Sequence, residues 1–66
     1  MKIIVNGESR DIPERLTVAE LIEQLGLSRA ACAVEINQSL APRATHAERQ
    51  LADGDAVEIV TLVGGG

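Results

Sequence analysis

Short runs rich in Ile and Val lie near both ends of the chain, whereas between them apolar residues recur at helical spacing. The first run is rich in Ile and Val and meets an Asn-Gly pair at residues 6–7, the strongest short hairpin signal. Residues 8–12 are expected to return as a second strand. Because side chains alternate across a strand, Ile3 and Val5 are expected in the core and Ile4 on the opposite, outer face.

A helix is predicted after this hairpin. Thr17, followed three residues later by Glu20, forms a capping box in which each side chain satisfies a backbone N–H of the other residue. Gly26 can adopt the left-handed conformation that ends a helix, with Leu27 folding back as in a Schellman motif. One buried stripe is formed by apolar residues at helical spacing: Val18, Leu21, Ile22 and Leu25. The helix is therefore expected over about residues 18–25.

The second half predicts strands separated by turns. Residues 33–36 favour a third strand, and residues 37–39 favour its turn. Residues 40–49 are expected to cross irregularly, since their proline forbids a central strand. An Asp-Gly-Asp turn at residues 53–55 then leads into a last strand over residues 56–63.

This order of elements indicates an α+β fold of the β-grasp, or ubiquitin-like, type. We expect a mixed sheet of four to five strands, with the last strand beside the first and one main helix packed on one face. The folded domain is assigned to residues 1–63, followed by a flexible C-terminal glycine tail at residues 64–66.

The last strand also predicts an exposed apolar patch. Glu58 should be solvated, which by alternation places Val60 and Leu62 on the same outer face. Since the first strand is expected beside the last, Ile4 should join them near the root of the tail. Three exposed apolar residues that cluster there suggest a docking surface, although scattered ones are ordinary.

Composition narrows the class of function. The chain has 66 residues, no aromatic residue, and a net charge of −4. Its small core leaves no room for a deep cleft, so no catalytic residue of its own is expected. The negative charge disfavours nucleic acid and anionic membranes as partners and favours a basic protein. With one cysteine and no presequence or membrane-length apolar segment, we expect a cytoplasmic protein that is monomeric alone.

Two residues invite more specific roles. Cys32 is the one cysteine, but between Ala31 and Ala33 it is more typical of a small buried apolar residue than of a persulfide site. His46 has no His or Cys companion at ligand spacing, so no metal site is predicted, and a surface loop position is expected for it.

The chain ends in Gly64, Gly65 and Gly66. Without side chains, Gly64 and Gly65 can thread a narrow channel and present the terminal carboxylate of Gly66 to an enzyme. An unstructured terminus is the alternative explanation of such a tail.

Four segments together resemble a known family: Ala-Val-Glu-Ile-Asn at residues 33–37, Pro-Arg at 42–43, Asp-Gly-Asp-Ala-Val-Glu-Ile-Val at 53–60, and the glycine tail. Over its whole length the chain resembles the ThiS family, the ubiquitin-like sulfur carrier proteins of thiamine thiazole synthesis. His46 departs from the family, which often has Trp after the Pro-Arg pair, and this bears on local packing.

The resemblance implies a chemistry for the tail. A ThiF-type adenylyltransferase, similar to E1 enzymes, would use ATP to adenylate the carboxylate of Gly66. Sulfur from cysteine, supplied by a cysteine desulfurase, would then give a C-terminal 1-thioglycine. A ThiG-type thiazole synthase would take that sulfur. The resemblance favours a pairing of Arg43 with a partner's carboxylate, although a solvated loop charge is the alternative. It also implies that no cofactor is stably bound.

Other functions remain open for this pattern. The small subunit of molybdopterin synthase shares the fold and the tail, as do other sulfur carriers. A ubiquitin-like modifier joined to lysines through Gly66, or a β-grasp interaction module whose tail has no role, are alternatives of a different class.

Overall fold

The computed structural model describes residues 1–28 and 31–62. The elements in chain order are β1 Lys2–Val5, β2 Glu8–Asp11, α1 Val18–Gln24, β3 Cys32–Ile36, β4 Ser39–Ala41, a 3-10 helix Arg43–Thr45, and β5 Ala56–Thr61. The strands form one sheet in the order β2-β1-β5-β3-β4. β5 is parallel to β1 and antiparallel to β3. The predicted mixed sheet, with the last strand beside the first and one main helix, is confirmed.

The core lies between one face of the sheet and α1. Inward residues alternate along the strands as predicted, with Ile3, Val5, Val57 and Ile59 buried. The helix contributes the buried side chains Val18, Leu21 and Ile22. The core is completed by apolar residues from β3, β4 and the loops: Ile12, Leu16, Val34, Ile36, Ala41 and Leu51. Burial of these aliphatic side chains drives folding of a domain that has no aromatic residue.

Two asparagines extend the pairing of β5 beyond its neighbouring strands. Asn6 and Asn37 each begin a two-residue hairpin turn with positive φ angles, 49° and 51°. The Asn6 side chain accepts from the Ile59 N–H at 2.9 Å and donates to the Ile59 carbonyl at 3.2 Å. The Asn37 side chain accepts from the Ala56 N–H at 3.0 Å and donates to the Asp55 carboxylate at 3.0 Å. β5 is therefore held on both sides where the hairpins turn.

The middle of the chain differs from the prediction. Residues 37–39 were expected as a turn and residues 40–49 as an irregular crossing, but Ser39 begins β4, which pairs antiparallel with β3. Asn37 and Gln38 alone close the hairpin because both adopt positive φ, which a two-residue turn of this hand requires. β4 ends at Ala41, and Pro42 follows it at the edge of the sheet.

The helix begins at Val18, as the sequence predicts, and ends at Gln24, one residue before the expected Leu25, which is its C-cap. The Thr17 hydroxyl accepts from the Glu20 N–H at 3.2 Å, and the Thr17 N–H donates to Glu20 Oε1 at 2.9 Å, which completes the capping box. At the other end Gly26 has φ 76°. Its N–H donates to the Glu23 carbonyl, and the Leu27 N–H donates to the Ile22 carbonyl, each at 3.0 Å. These two bonds form the Schellman motif.

The segment after the 3-10 helix completes the start of α1. The Val18 N–H donates to the Arg49 carbonyl at 2.9 Å, and the Ala19 N–H donates to the His46 carbonyl at 3.0 Å. With the capping box, the backbone N–H groups of the first turn all have partners, although a helix N-terminus leaves them without intrahelical ones. Residues 46–49 therefore belong to the packed domain.

Thr17→Ala should destabilise the protein, because it leaves a first-turn N–H without its acceptor. Loss of such a cap typically costs about 0.5–2 kcal/mol, and 1 kcal/mol lowers the melting temperature of a domain this small by about 4–8 °C. Thermal unfolding followed by circular dichroism measures the change. An unchanged melting curve would show that the cap contributes nothing.

The same cap predicts a pH dependence. The Thr17 backbone N–H, and then its hydroxyl, donate to Glu20 and lower the pKa of that carboxyl from its ordinary value. The stabilisation should be full above the unfolded pKa and be lost as the pH falls through the folded pKa. Glu20→Gln keeps a side-chain acceptor but cannot titrate, so its stability should fall less between pH 5 and pH 3. An equal loss of stability in the Glu20→Gln variant and in the wild-type protein would contradict the assignment of this pH dependence to Glu20.

Candidate functional site

The end of β5 carries two of the predicted docking residues. Val60 and Leu62 are 58% and 59% exposed, and they lie on the face of the sheet opposite the helix. Val60 pairs with Ala33 of β3, and the Leu62 N–H donates to the Ala31 carbonyl at 2.8 Å. The predicted outer-face position of both residues is confirmed. Together with Ala33, they form what we call the tail-root patch.

Ile4 does not join this patch. It is 44% exposed on the predicted outer face, but the register of β1 and β5 places it beside Ala56. Val60 lies four residues further along β5, a separation of about 13 Å at the rise of a strand. The expectation of one cluster of three residues is therefore wrong, because the parallel register of the two strands offsets Ile4 from the root of the tail.

Leu40 is a surface residue that the sequence did not single out. It is 67% exposed, the highest fraction among the large apolar residues of the part described, and it pairs with Glu35 on the outer face. An alternating Ser-Leu-Ala triplet after a two-residue turn was the available signal. It was missed because residues 40–49 were assigned to an irregular crossing.

Between Leu40 and β5 the outer face is acidic. Glu35 lies directly across from Glu58 in the antiparallel pair of β3 and β5, and both side chains are exposed. Like charges in this position repel each other. A basic group on a docking partner would relieve that repulsion, in agreement with the preference for a basic protein that the net charge indicates.

The tail itself is outside the described residues. Val63, predicted as the end of the last strand, and Gly64, Gly65 and Gly66, predicted as threading and attachment positions, fall there. The division between a domain at 1–63 and a tail at 64–66 therefore stays a prediction. β5 ends at Thr61, short of the predicted end at Val63, and the N–H of Leu62, which follows it, donates to the carbonyl of Ala31, just before β3.

Arg43 lies on the helix side of the domain. It begins the 3-10 helix and lines a groove of about 310 Å³ with residues of α1, including Ile22 and Glu23. Val60 and Leu62 are on the opposite face of the sheet. The structure therefore does not bring Arg43 together with the tail-root patch, and a contact with the same partner requires that partner to reach around the edge formed by β4.

His46 is not at the surface. It is buried, and its Nε2 lies 2.8 Å from the Ala41 carbonyl. Since a carbonyl only accepts, Nε2 carries a proton and donates. The predicted surface loop position is wrong because the segment after the 3-10 helix folds over the start of α1. His46 fills the space beside β4 and links that strand to the helix through its own carbonyl.

Cys32 is half-buried and packs against the apolar core, in agreement with the expected apolar role. Its Sγ lies 4.0 Å from the Leu27 carbonyl. Within residues 1–28 and 31–62, no three His, Cys, Asp or Glu side chains are placed to hold a metal ion together. The one α-helix of the described part is also too short to cross a membrane.

Comparison with known proteins agrees with this geometry. The model of the ThiS family matches residues 3–66. The sulfur carrier protein ThiS of Escherichia coli is 35% identical, and the alignment covers all of both chains. The crystal structure of a thiamine biosynthesis protein, ThiS, from Geobacter metallireducens superposes with a TM-score of 0.84 at 35% identity, again over all of both chains.

A longer protein also matches. A thiazole synthase of Paramagnetospirillum magneticum is 39% identical over the whole of this chain, which spans only 20% of that synthase's length. The full-length family match, the carrier of equal length and the shared structure lead to one conclusion. The chain belongs to the ThiS family of sulfur carrier proteins.

Proposed function

We propose that the chain carries sulfur for thiazole formation in thiamine biosynthesis, on the carboxylate of Gly66. The observation that carries this proposal is the alignment over all of both chains with a sulfur carrier protein, together with a last strand that leads from the middle of the sheet into the glycine tail. A central strand that continues into a tail without side chains gives an enzyme access to the terminus while the domain stays folded.

The terminal carboxylate must first be activated. A carboxylate with a pKa of about 3.5 is a resonance-stabilised anion and a poor electrophile. Attack of one carboxylate oxygen on the α-phosphorus of ATP releases pyrophosphate and gives an acyl-adenylate. The outer sulfur of the desulfurase's cysteine persulfide then adds to the carbonyl carbon, and AMP leaves with the bond electrons. A second thiol, such as that of free cysteine, attacks the inner sulfur of the resulting acyl disulfide, so that the two thiols leave as a disulfide and the outer sulfur stays on the chain. The final product is a thiocarboxylate, present as a 1-thioglycine at residue 66.

Three partners follow from this sequence of steps. An E1-like adenylyltransferase of the ThiF type supplies the adenylation and uses the ATP, and a cysteine desulfurase supplies the sulfur. A ThiG-type thiazole synthase consumes the thiocarboxylate. The synthase of Paramagnetospirillum magneticum supports this last pairing, because a fifth of its length aligns with the whole of this chain. A carrier-like segment and a synthase thus share one polypeptide there.

The tail-root patch is the proposed centre of the docking surface for the adenylating partner. Binding energy concentrates in a few desolvated apolar anchors, and Val60 and Leu62 are exposed apolar residues beside the tail. Glu35 and Glu58 adjoin the patch and favour a basic rim on the partner. Ile4 and Arg43 belong to the proposed surface only where the partner extends along β1 or around β4.

Removing Gly65 and Gly66 should abolish adenylation and leave the fold intact. The truncation shortens an extended chain by about 7 Å, and reactions can fail on a misplacement of about 1 Å. It deletes no side chain, so the melting temperature should hardly change. ATP–pyrophosphate exchange with the purified adenylating partner measures the first effect. Wild-type exchange by the truncated chain would exclude the proposed role of Gly66.

One added residue is the matched control for that truncation. An alanine after Gly66 preserves all of the native chain but adds a methyl group inside the channel and moves the carboxylate past the reactive position. Exchange should fall here too, although no native contact has been removed. If only the truncation is inactive, the glycines act through their own contacts and the exact position of the carboxylate is unimportant.

Leu62→Asp should weaken the complex with the adenylating partner by at least about tenfold, since a charge would be buried at an apolar anchor. The side chain is exposed in the free domain, so the melting temperature should stay near that of wild type. Titration calorimetry gives the affinity. Ile4→Asp, about 13 Å along the sheet, should have a smaller effect. The reverse order of the two variants would place the interface at β1.

A further inference from the structure

The end of β5, before the tail, has an edge beside which no strand of the described residues lies. β1 pairs with β5 only at Ile4 with Ala56 and at Val5 with Val57. The side chain of Asn6 then bonds the backbone of Ile59, and the chain turns away at Gly7. In the described part of the chain, β5 therefore continues beyond Ile59 with a neighbour on its β3 side alone.

The direction of the backbone groups identifies which residue is unpaired. Odd-numbered residues of this segment direct their backbone groups toward β1, and the bonded ones are Asp55, Val57 and Ile59. Even-numbered residues direct theirs toward β3, as the bonds of Ala56 and Leu62 show. By the same alternation, the N–H and carbonyl of Thr61 point to the β1 side, where no described strand residue lies opposite them.

The reach of the tail brings this edge into contact with any enzyme that acts on Gly66. Four residues follow Leu62, and fully extended they span at most about 14 Å. An active site at the end of so short a tether must come within that distance of Leu62. We therefore expect its enzyme to cover the surface around Thr61 and to remove water from it.

Covering the edge without pairing it would be unfavourable. A backbone N–H or carbonyl that loses water and gains no partner costs most of the binding energy that a neighbouring contact supplies. The edge is also suited to pairing, because Thr61 is exposed, uncharged and between apolar neighbours. By contrast, the two outer edges of the sheet are a charged strand, β2, and a three-residue strand followed by proline, β4.

We propose that an extended segment of the adenylating partner pairs with β5 at Thr61, backbone to backbone, and adds a strand to the sheet at the root of the tail. This strand pairing rests on the proposed function, and it adds how the partner binds the root of the tail. The adenylating partner is chosen because it is the first enzyme that must hold the carboxylate against a phosphate. Main-chain pairing on one side of Thr61 and β3 on the other would fix the direction in which the tail leaves the domain.

Hydrogen exchange of backbone amides tests the pairing directly. In the free protein the amides of Thr61 and Ser9 should both exchange quickly, because both point away from a paired neighbour. Met1 and Ile12 exchange backbone hydrogen bonds, at 2.7 and 2.8 Å, and Ser9 lies opposite Ile4 in the same antiparallel pair. Since hydrogen-bonded and non-hydrogen-bonded positions alternate along such a pair, the N–H of Ser9 points to the outer edge of β2. In the complex, Thr61 should slow by at least about tenfold while Ser9 stays fast.

Proline variants give a second readout by activity. Thr61→Pro removes the N–H at the open edge and no bond to β3, so the domain should stay folded, while kcat/KM for pyrophosphate exchange falls by at least about tenfold. Ser9→Pro places a proline at a distant edge of the sheet, and its kcat/KM for pyrophosphate exchange should match that of the wild-type protein. Thermal unfolding checks that both variants fold, and the amide measurement on the wild-type chain needs no variant.

The outcomes separate this proposal from the proposed function. Strand pairing alone is overturned if the wild-type chain supports pyrophosphate exchange but its Thr61 amide is unprotected in the complex. It is also overturned if the Thr61→Pro variant is folded and fully active. Protection of Thr61 only in a complex with thiazole synthase overturns the choice of partner. If the wild-type chain neither binds the adenylating enzyme nor supports pyrophosphate exchange, the proposed function fails and the pairing fails with it.

Discussion

The position of β5 between β1 and β3 is the constraint on which the rest of the structure depends. It joins a parallel pair to an antiparallel one, and its inward residues Val57 and Ile59 lie at the centre of the core. Asn6 and Asn37 add side-chain bonds to it from both hairpin turns. A strand fixed in this way resists being pulled out of the sheet, so its end is a firm anchor for the tail that we propose as the site of sulfur attachment.

The two faces of the sheet have different roles. One face packs against α1 and holds the small aliphatic core. The buried His46 and the capping bonds attach the middle of the chain to that core. No helix of residues 1–28 or 31–62 packs on the other face, which carries the acidic pair and the tail-root patch. Stability and the proposed partner binding therefore rest on different side chains, so surface variants can test the proposed binding while the domain stays folded.

Local signals in the sequence predicted most of the elements. The Asn-Gly turn, the Thr17 and Glu20 box and Gly26 each depend on a few neighbouring residues, and the structure confirms all three. Features that depend on contacts distant in sequence were missed. Burial of His46 requires the fold of the segment after β4, and separation of Ile4 from Val60 requires the register of two strands more than 50 residues apart. The open edge at Thr61 depends on that same register.

The central claim is that sulfur is carried on the carboxylate of Gly66. The most direct test is the mass of the intact chain, with fragmentation to locate the change, after incubation with ATP, the adenylating enzyme, a cysteine desulfurase and cysteine. The account predicts exchange of one oxygen for one sulfur, confined to residue 66 and dependent on ATP. Sulfur found on Cys32, chains joined to lysines through their terminus, or an unchanged mass would contradict it.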